Sequence, residues 1–218
     1  MLERQEGDDS KANGRGQGGL YPVRGGRHIG LMAILKIARM GHPILRQPAA
    51  EIEDPTEPRV QQLIADMLET LEDANGAGLA APQVHVPARL VIFAVTEDRT
   101  TEDGDDTAQA TQVLINPVIE AVGEEQELGW EGCLSVPGMI GAVPRHTRIR
   151  YRGLDHTGQS IDRSASGFHA RVVQHECDHL DGILYPMRMT DMSLFGFTEE
   201  MARGAAAAEQ EEIEAAAE

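Results

Sequence analysis

Apolar residues recur at helical spacing in two segments of the chain. Within residues 58–75 they stand three or four positions apart, which predicts an amphipathic helix whose buried stripe is Val60, Leu63, Ile64, Met67, Leu68 and Leu71. Thr56 or Asp54 can cap the first turn of this helix, and Gly76 can end it in a left-handed conformation.

The second helical segment is predicted at residues 168–180. Ser166 is a suitable N-cap for this helix, and Gly182 is suited to stop it. Two strong helices separated by about ninety residues leave room for a sheet between them, and that region has no helical periodicity.

The intervening pattern is typical of strands. Leu90–Val95 is a short β-rich apolar run, which predicts a buried strand, and residues 97–111 are dense in Asp, Glu and Thr, which predicts a solvated loop. Three more strands are predicted at residues 113–122, with an interruption at Asn116-Pro117, and at Arg148–Leu154 and residues 159–165, which flank a hairpin turn. This order predicts a single α+β domain with mostly antiparallel sheet.

The two ends of the chain differ from this pattern. Residues 1–31 are rich in Gly, Arg and polar residues, so we expect a disordered N-terminal extension, and Met32 is a candidate for the true start. Residues 198–218 form an Ala- and Glu-rich acidic tail. The predicted domain therefore spans residues 32–197.

Composition narrows the range of functions. Of the 218 residues 41% are apolar, and no apolar run approaches the length of a membrane span, so we expect no membrane insertion. The net charge of −17 repels phosphate backbones, so direct nucleic acid binding is not expected. Two cysteines and the absence of a recognisable leader predict a reducing, cytoplasmic location.

The sharpest chemical signal is a His-Glu-x-x-His motif on the second predicted helix. His175 and His179 are four residues apart, so both rings lie on one helical face and can bind one metal ion. Glu176 follows the first histidine and can take a proton from a metal-activated water. The competing interpretation is a helix with two chance histidines.

A catalytic metal site usually has a third protein ligand. Glu199 and Glu200 are downstream candidates, but they lie in the acidic tail. Cys133, within a tight segment at residues 131–135, is the better candidate, because a thiolate binds Fe²⁺ or Zn²⁺ strongly. A small buried hydrophobe is the alternative role for Cys133, and it is the expected role for Cys177, which should face away from the metal.

A loop of small residues follows the first helix, at residues 76–83. Small residues let a substrate backbone approach closely, and Gln83 offers an amide donor for a polarised carbonyl oxygen. Taken alone, the loop favours the alternative interpretation, a packed turn.

Three motifs together resemble those of peptide deformylases, in the family's order. They are Gly-x-Gly-Leu-Ala-Ala-Pro-Gln at 76–83, Glu-Gly-Cys-Leu-Ser at 131–135 and Gln-His-Glu-x-Asp-His-Leu at 174–180. The resemblance spans residues 32–188. It implies a deformylase-like α+β fold, with mostly antiparallel sheets around the helix that carries the histidines.

The resemblance also implies a role for each matched residue. Cys133, His175 and His179 would bind the metal, Glu176 would be general base and then acid, Gln83 and the backbone N–H of Leu134 would hold the oxyanion, and Ala77, Gly78, Gly132 and Ile140 would contact substrate. The family's usual metal is Fe²⁺, often replaced by Zn²⁺ or Ni²⁺. The implied reaction removes the formyl group from the N-terminal methionine of nascent polypeptides and releases formate.

One position departs from the family pattern. Many members carry Arg where this chain has Ile140, so its peptide preference can differ. Arg145 is retained, and we expect it to pair with Glu131 near the metal. For the methionine pocket we expect walls formed by Ile140, Val136 and Leu180.

Two other functions are compatible with the residues alone. A His-Glu-x-x-His zinc peptidase would use a downstream ligand and would not need Cys133. A deformylase-like binding protein would keep the fold with weak or lost turnover. The family is thought to work beside the ribosome, but we predict no ribosome docking through the acidic tail, whose charge is unsuited to ribosomal RNA.

Overall fold

The computed structural model describes residues 33–100 and 106–206. Within them, two antiparallel sheets and two α-helices make up the domain up to residue 197, and a further helical segment follows at residues 198–206. The helices are α1 (Pro58–Asp73) and α2 (Gly167–Leu180). The strands are β1 (Gly78–Ala80), β2 (Leu90–Val95), β3 (Gln109–Ala121), β4 (Gln126–Cys133), β5 (Val136–His146), β6 (Arg148–Leu154), β7 (Ser160–Ser166) and β8 (Phe195–Phe197). The predicted α+β class with antiparallel sheets is confirmed.

The larger sheet has the strand order β1-β2-β3-β6-β7, and the smaller one has the order β4-β5-β8. Helix α2 packs against β1 and β2 of the larger sheet and against β5 of the smaller one. Strands β1 and β4 each lie at the edge of their sheet. The histidine-bearing helix is thus enclosed by both sheets, which is the arrangement that the sequence predicts.

Two hydrophobic core clusters pack against the larger sheet, and a third, which includes Val136 and Val143, belongs to the smaller sheet. One cluster lies between the larger sheet and α2, and it includes Phe93, Tyr151 and Val173. A second cluster joins α1 to β1 and β2 through Met67, Leu79 and similar residues. Among the described residues, no helix is long and apolar enough to cross a membrane.

Helix α1 begins and ends differently from the prediction. Its N-cap is Glu57, without a capping side chain, because the Asp54 carboxylate accepts hydrogen bonds from the backbone and hydroxyl of Thr56 instead. At the other end Asn75, with φ of 49°, adopts the left-handed conformation predicted for Gly76. The glycine at 76 provides space, since a Cβ there would lie 2.8 Å from Leu71 Cδ1.

Strand β3 starts earlier than predicted, at Gln109, and it continues through the predicted interruption. Asn116, with φ of 49°, forms a bulge, and its side-chain amide pairs with both backbone groups of Ile52. The Asn-Pro pair therefore marks a bulge, which bends a strand without ending it.

The N-terminus of α2 is capped from a distant part of the chain. Ser166 occupies the N-cap position, but its hydroxyl makes no cap hydrogen bond. The carboxylate of Asp106 instead accepts the backbone N–H groups of Phe168 and His169, at 3.3 and 3.1 Å. The prediction of a Ser166 cap was wrong, although Gly182 does end the helix in a left-handed conformation.

The chain termini lie largely beyond the described residues. The predicted extension at residues 1–31 lies outside them, and so does the acidic tail beyond residue 206. Residues 198–206 of that tail are helical and mostly exposed.

Candidate metal centre

Three of the predicted ligands meet between β4 and α2. Cys133 is the last residue of β4, and His175 and His179 project from one face of α2. The ligand atoms of all three lie within 4.8 Å of one another, and Cys133 Sγ is 3.4 Å from His179 Nε2. Tetrahedral zinc with ordinary bond lengths places sulfur and nitrogen ligands about 3.5 Å apart, so this donor set fits a metal ion.

A buried carboxylate orients the first histidine. The Nδ1 atom of His175 lies 2.8 Å from Glu131 Oε2. An ionised carboxylate only accepts, so Nδ1 carries the hydrogen and Nε2 is available for a metal. Arg145 donates to both oxygens of Glu131, at 2.9 and 3.0 Å, which confirms the predicted contact between these residues.

Charge around the centre favours a bound cation. Burial alone would raise the pKa of Glu131, but hydrogen bonds from His175 and Arg145 outweigh it and hold the pKa at about 2. Burial opposes charge on His175 as well, yet hydrogen bonds to Cys133 and Glu131 raise its pKa well above the ordinary value. The groups that favour a protonated His175 would also attract a metal ion. Binding of the ion requires the loss of the proton from the ring nitrogen that becomes its ligand.

His179 is in a different state. Burial, together with the neighbouring His175, lowers the pKa of His179 well below its ordinary value. The ring is therefore neutral, as a metal ligand must be. The sulfur of Cys133 also accepts the backbone N–H of Ser135, at 3.4 Å.

Glu176 lies beside the three ligands with its side chain buried. Burial is the main cause that raises the pKa of Glu176 to about 7. A carboxylate with a pKa near neutrality is suited to accept a proton and return it. In the loop at residues 76–83, Gly78 leaves space for this side chain, because a Cβ there would overlap the Glu176 carboxylate.

Gln83 is fixed next to the cysteine by hydrogen bonds. Its Oε1 accepts from the Ala80 backbone at 2.8 Å, and its Nε2 donates to Ser135 Oγ at 3.1 Å. Nε2 also lies 3.5 Å from Cys133 Sγ. The amide donor is therefore held at the centre without freedom to rotate away, as preorganised stabilisation of an oxyanion requires.

A cleft of about 290 Å³ opens over these residues. The predicted residues Ala77, Gly78, Gly132 and Leu134 line it, together with Gln83, Cys133, His175 and Glu176. Its side walls are residues that the sequence did not single out, namely Trp130, Phe168, Arg171 and Val172, with Arg99 at 5.2 Å over the Phe168 ring.

The predicted pocket walls lie elsewhere. Val136 and Leu180 belong to buried core clusters and do not line this cleft. Ile140 pairs with Gly132 across the β4–β5 ladder, one strand away from the opening. Apolar character alone does not show which side of a strand or helix faces the cleft, so the sequence could not place Val136 and Leu180 relative to it.

Comparison with known protein sequences identifies the family of this chain. Residues 34–194 match the sequence profile of the family described as polypeptide deformylase. The chain belongs to the peptide deformylase family. "Peptide deformylase 1" of Nitrosomonas europaea is 50% identical over 171 residues, which cover 78% of this chain and 96% of the relative. "Peptide deformylase 1" of Bordetella pertussis is 53% identical over 163 residues, covering 75% of this chain and 92% of the relative.

Solved deformylase structures have the same fold. The class I type b peptide deformylase from Acinetobacter baumannii is 35% identical, with a TM-score of 0.65 over 72% of this chain and 99% of that chain. The enzyme from Ehrlichia chaffeensis, in complex with actinonin, is 33% identical, with a TM-score of 0.69 over 74% and 92%.

Membership of the deformylase family decides between the functions left open by the residues. Deformylases are metal-dependent hydrolases that remove the formyl group from the N-terminal methionine of nascent polypeptides, so the chain is an enzyme of protein biosynthesis. The zinc peptidase alternative was wrong, and its candidate ligands Glu199 and Glu200 are exposed on the helix after β8.

The deformylase site includes buried charges that sequence reasoning missed. Arg145 donates to Asp178 as well as to Glu131, and Arg188 also donates to Asp178. Arg171 joins the same group through Glu131. One feature of the sequence could have indicated Arg171 as part of this group. It stands four residues before His175, so both side chains lie on one face of the helix.

Cys177 has no place in this site. It is buried in the core cluster beneath α2, where burial raises the pKa of its thiol well above the ordinary value. Such a thiol remains protonated and inert.

Proposed function

We propose that Cys133, His175 and His179 hold one divalent metal ion and that Glu176 is the catalytic base and acid. The main support for this proposal is that the ligand atoms of one cysteine and two histidines lie within 4.8 Å of one another. A buried carboxyl group with a pKa of about 7 lies beside them. Fe²⁺ is our proposed metal, with Zn²⁺ or Ni²⁺ as substitutes, because thiolate and imidazole ligands suit all three.

A divalent ion held there would supply Lewis-acid chemistry, polarising a carbonyl oxygen and making water acidic at neutral pH. Glu176 takes a proton from the attacking water and later delivers it to the leaving amine. Gln83 and the backbone N–H of Leu134 stabilise the oxyanion that develops on the formyl group. Products are formate and a free N-terminal amine.

The substrate chain is positioned by two strand edges. β1 and β4 face the cleft from different sheets, and each lies at the edge of its sheet. An extended peptide can add to such edges by backbone hydrogen bonds. Gly78, with Ala77 and Gly132, lets that peptide approach Glu176 closely, while the methionine side chain enters the cleft between Phe168 and Val172.

The substrates imply the place of action. N-formylmethionyl chains arise during bacterial translation, so we propose a cytoplasmic enzyme that meets them as they emerge. The helix at residues 198–206 carries exposed Glu199 and Glu200, and we assign it no contact with ribosomal RNA. We also retain Ile140 as a residue that influences peptide preference, through its pairing with Gly132.

Formate release from formyl-Met-Ala-Ser tests the proposal. The protein is purified anaerobically and loaded with Fe²⁺, and Glu176→Ala is compared with Glu72→Ala, which removes an exposed carboxylate from α1. We expect release by the wild type and by Glu72→Ala, and a loss of at least about a hundredfold in Glu176→Ala. A folded, metal-loaded wild type without release would instead favour a deformylase-like binding protein.

A further inference from the structure

Arg171 spans the gap between the metal-binding helix and the strand that carries the cysteine. Its Nη1 donates to Glu131 Oε1 at 3.0 Å, to Val143 O at 2.8 Å and to Gly129 O at 3.4 Å. Its Nη2 donates to Glu127 O at 2.8 Å. Only 14% of the side chain is exposed, so these four acceptors compensate its buried charge.

The backbone acceptors of Arg171 lie on two paired strands of the smaller sheet. Glu127 and Gly129 belong to β4, and Val143, which pairs with Gly129, belongs to β5. A planar guanidinium can bridge several such acceptors at once, which a flexible lysine ammonium cannot do in a fixed geometry. Arg171 therefore connects α2 to β4 and β5 by hydrogen bonds.

The hydrogen bonds of Arg171 connect the two elements that carry the proposed metal ligands. Cys133 is at the end of β4, and His175 follows Arg171 by one helical turn. The Glu131 oxygen that Arg171 binds belongs to the carboxylate that orients His175. A movement of Arg171 would consequently shift both the separation of the two elements and the direction of the His175 ring.

Gly129 supplies a second, independent observation. A Cβ at this position would lie 2.6 Å from both Cζ and Nη2 of Arg171. The space that a glycine leaves on β4 is therefore filled by this guanidinium, and the two positions are matched in shape.

We propose that Arg171 is a positioning residue that sets the geometry of the metal centre through β4 and Glu131. This inference rests on the proposed metal site. Arg171 also lines the cleft, and its guanidinium donates to the acceptors on β4 and β5. Methionine at this position keeps an unbranched apolar side chain but cannot donate these hydrogen bonds. Arg171→Met therefore separates the packing of the side chain from the hydrogen bonds of the guanidinium.

The test measures metal binding as well as turnover. Metal-free full-length protein is titrated with Co²⁺ and Zn²⁺ against a competing chelator, and the Co²⁺ absorption bands report the thiolate and the coordination geometry. Arg171→Met is compared with Arg150→Met, which removes an exposed arginine whose fork binds Asp162 on the neighbouring strand. Formate release by the wild type is recorded in parallel.

We expect Arg171→Met to bind either metal about tenfold more weakly, with altered Co²⁺ bands, and Arg150→Met to match the wild type. Tenfold is the lower end for loss of a group that supports a metal ligand, because Arg145 still holds Glu131 by two hydrogen bonds. Unchanged affinity and bands in folded Arg171→Met would overturn the inference. A wild type that binds no metal would overturn the proposed function with it.

Gly129→Ala provides a second route if Arg171→Met does not fold. The added methyl displaces the guanidinium without removing its charge, so we expect the same weakening of Co²⁺ binding. Gly204→Ala is the matched control, since a Cβ there meets nothing within 4 Å. Gly129→Ala with the Co²⁺ affinity of Gly204→Ala would refute the role of Arg171.

Discussion

Replacing Glu131 by Gln removes the charge from the carboxylate that joins α2 to β4. Glu131 accepts from Arg145, Arg171 and His175, and 4% of its side chain is exposed. Glutamine has nearly the same shape, so the substitution leaves little cavity and isolates the loss of charge. We expect the metal-free protein to lose stability at neutral pH.

The lowered pKa of Glu131 gives the size of this loss. A carboxyl group whose pKa falls from 4.5 to about 2 on folding contributes about 3 kcal/mol. Loss of one partner from a buried ion pair costs about 3–5 kcal/mol, which agrees. Because the folded-state pKa is depressed, the contribution is fully present above pH 4.5 and is lost as the pH falls through about 2.

Urea unfolding of the metal-free protein measures the effect at pH 7 and again near pH 3. Glu120→Gln is the matched control, because its ion pair with Arg152 spans 2.6 Å but lies on the surface, with side chains 54% and 46% exposed. Such a pair is worth less than about 1 kcal/mol. We expect the gap between Glu131→Gln and the wild type to narrow at the lower pH.

Two results would refute this reasoning. Glu131→Gln could cost no more than Glu120→Gln at pH 7, which would mean that the buried charges do not stabilise the fold. Alternatively the cost could be the same at pH 7 and pH 3, which would mean that it arises from packing and not from ionisation.

Three further predictions concern other parts of the site. Gly78→Ala should lower kcat/KM for formyl-Met-Ala-Ser by about a hundredfold with an unchanged circular dichroism spectrum, because the methyl overlaps the Glu176 carboxylate; near-normal turnover would contradict this. Cys133→Ser should reduce bound metal measured by atomic emission, whereas Cys177→Ser should not; equal metal content in both variants would remove Cys133 from the site. Asp106→Ala should lower the free energy of unfolding by about 1 kcal/mol through loss of the α2 cap, and an unchanged urea midpoint would be evidence against that cap.

Local patterns were sufficient to predict both helices and the strands β2, β3, β6 and β7, but they did not give bounds for β1 or for the strands of the smaller sheet. The 3.6-residue periodicity of α2 placed His175 and His179 on one face, and their ring nitrogens lie close to Cys133 Sγ. The correct predictions depend on residues that are close together in the chain.

Long-range contacts could not be predicted in this way. Asp106 caps α2 from 62 residues upstream, and a Ser at the N-cap position was the nearer and wrong choice. Arg171 reaches Glu131 across 40 residues, although an arginine on an amphipathic helix is ordinarily a solvated side chain. Whether such a charge faces water or a neighbouring strand depends on how the elements pack, which periodicity does not encode.

The proposed metal ligands are far apart along the chain, which would make the stability of this enzyme depend on the metal supply of the cell. Cys133 and His179 are 46 residues apart, so the site exists only after β4 and α2 have packed together. A metal that binds only the native state stabilises it by about 2.7 kcal/mol at a hundred times its Kd. Under metal starvation the chains would open more often, and proteases remove opened chains. The amount of enzyme would then fall together with the metal on which its turnover depends.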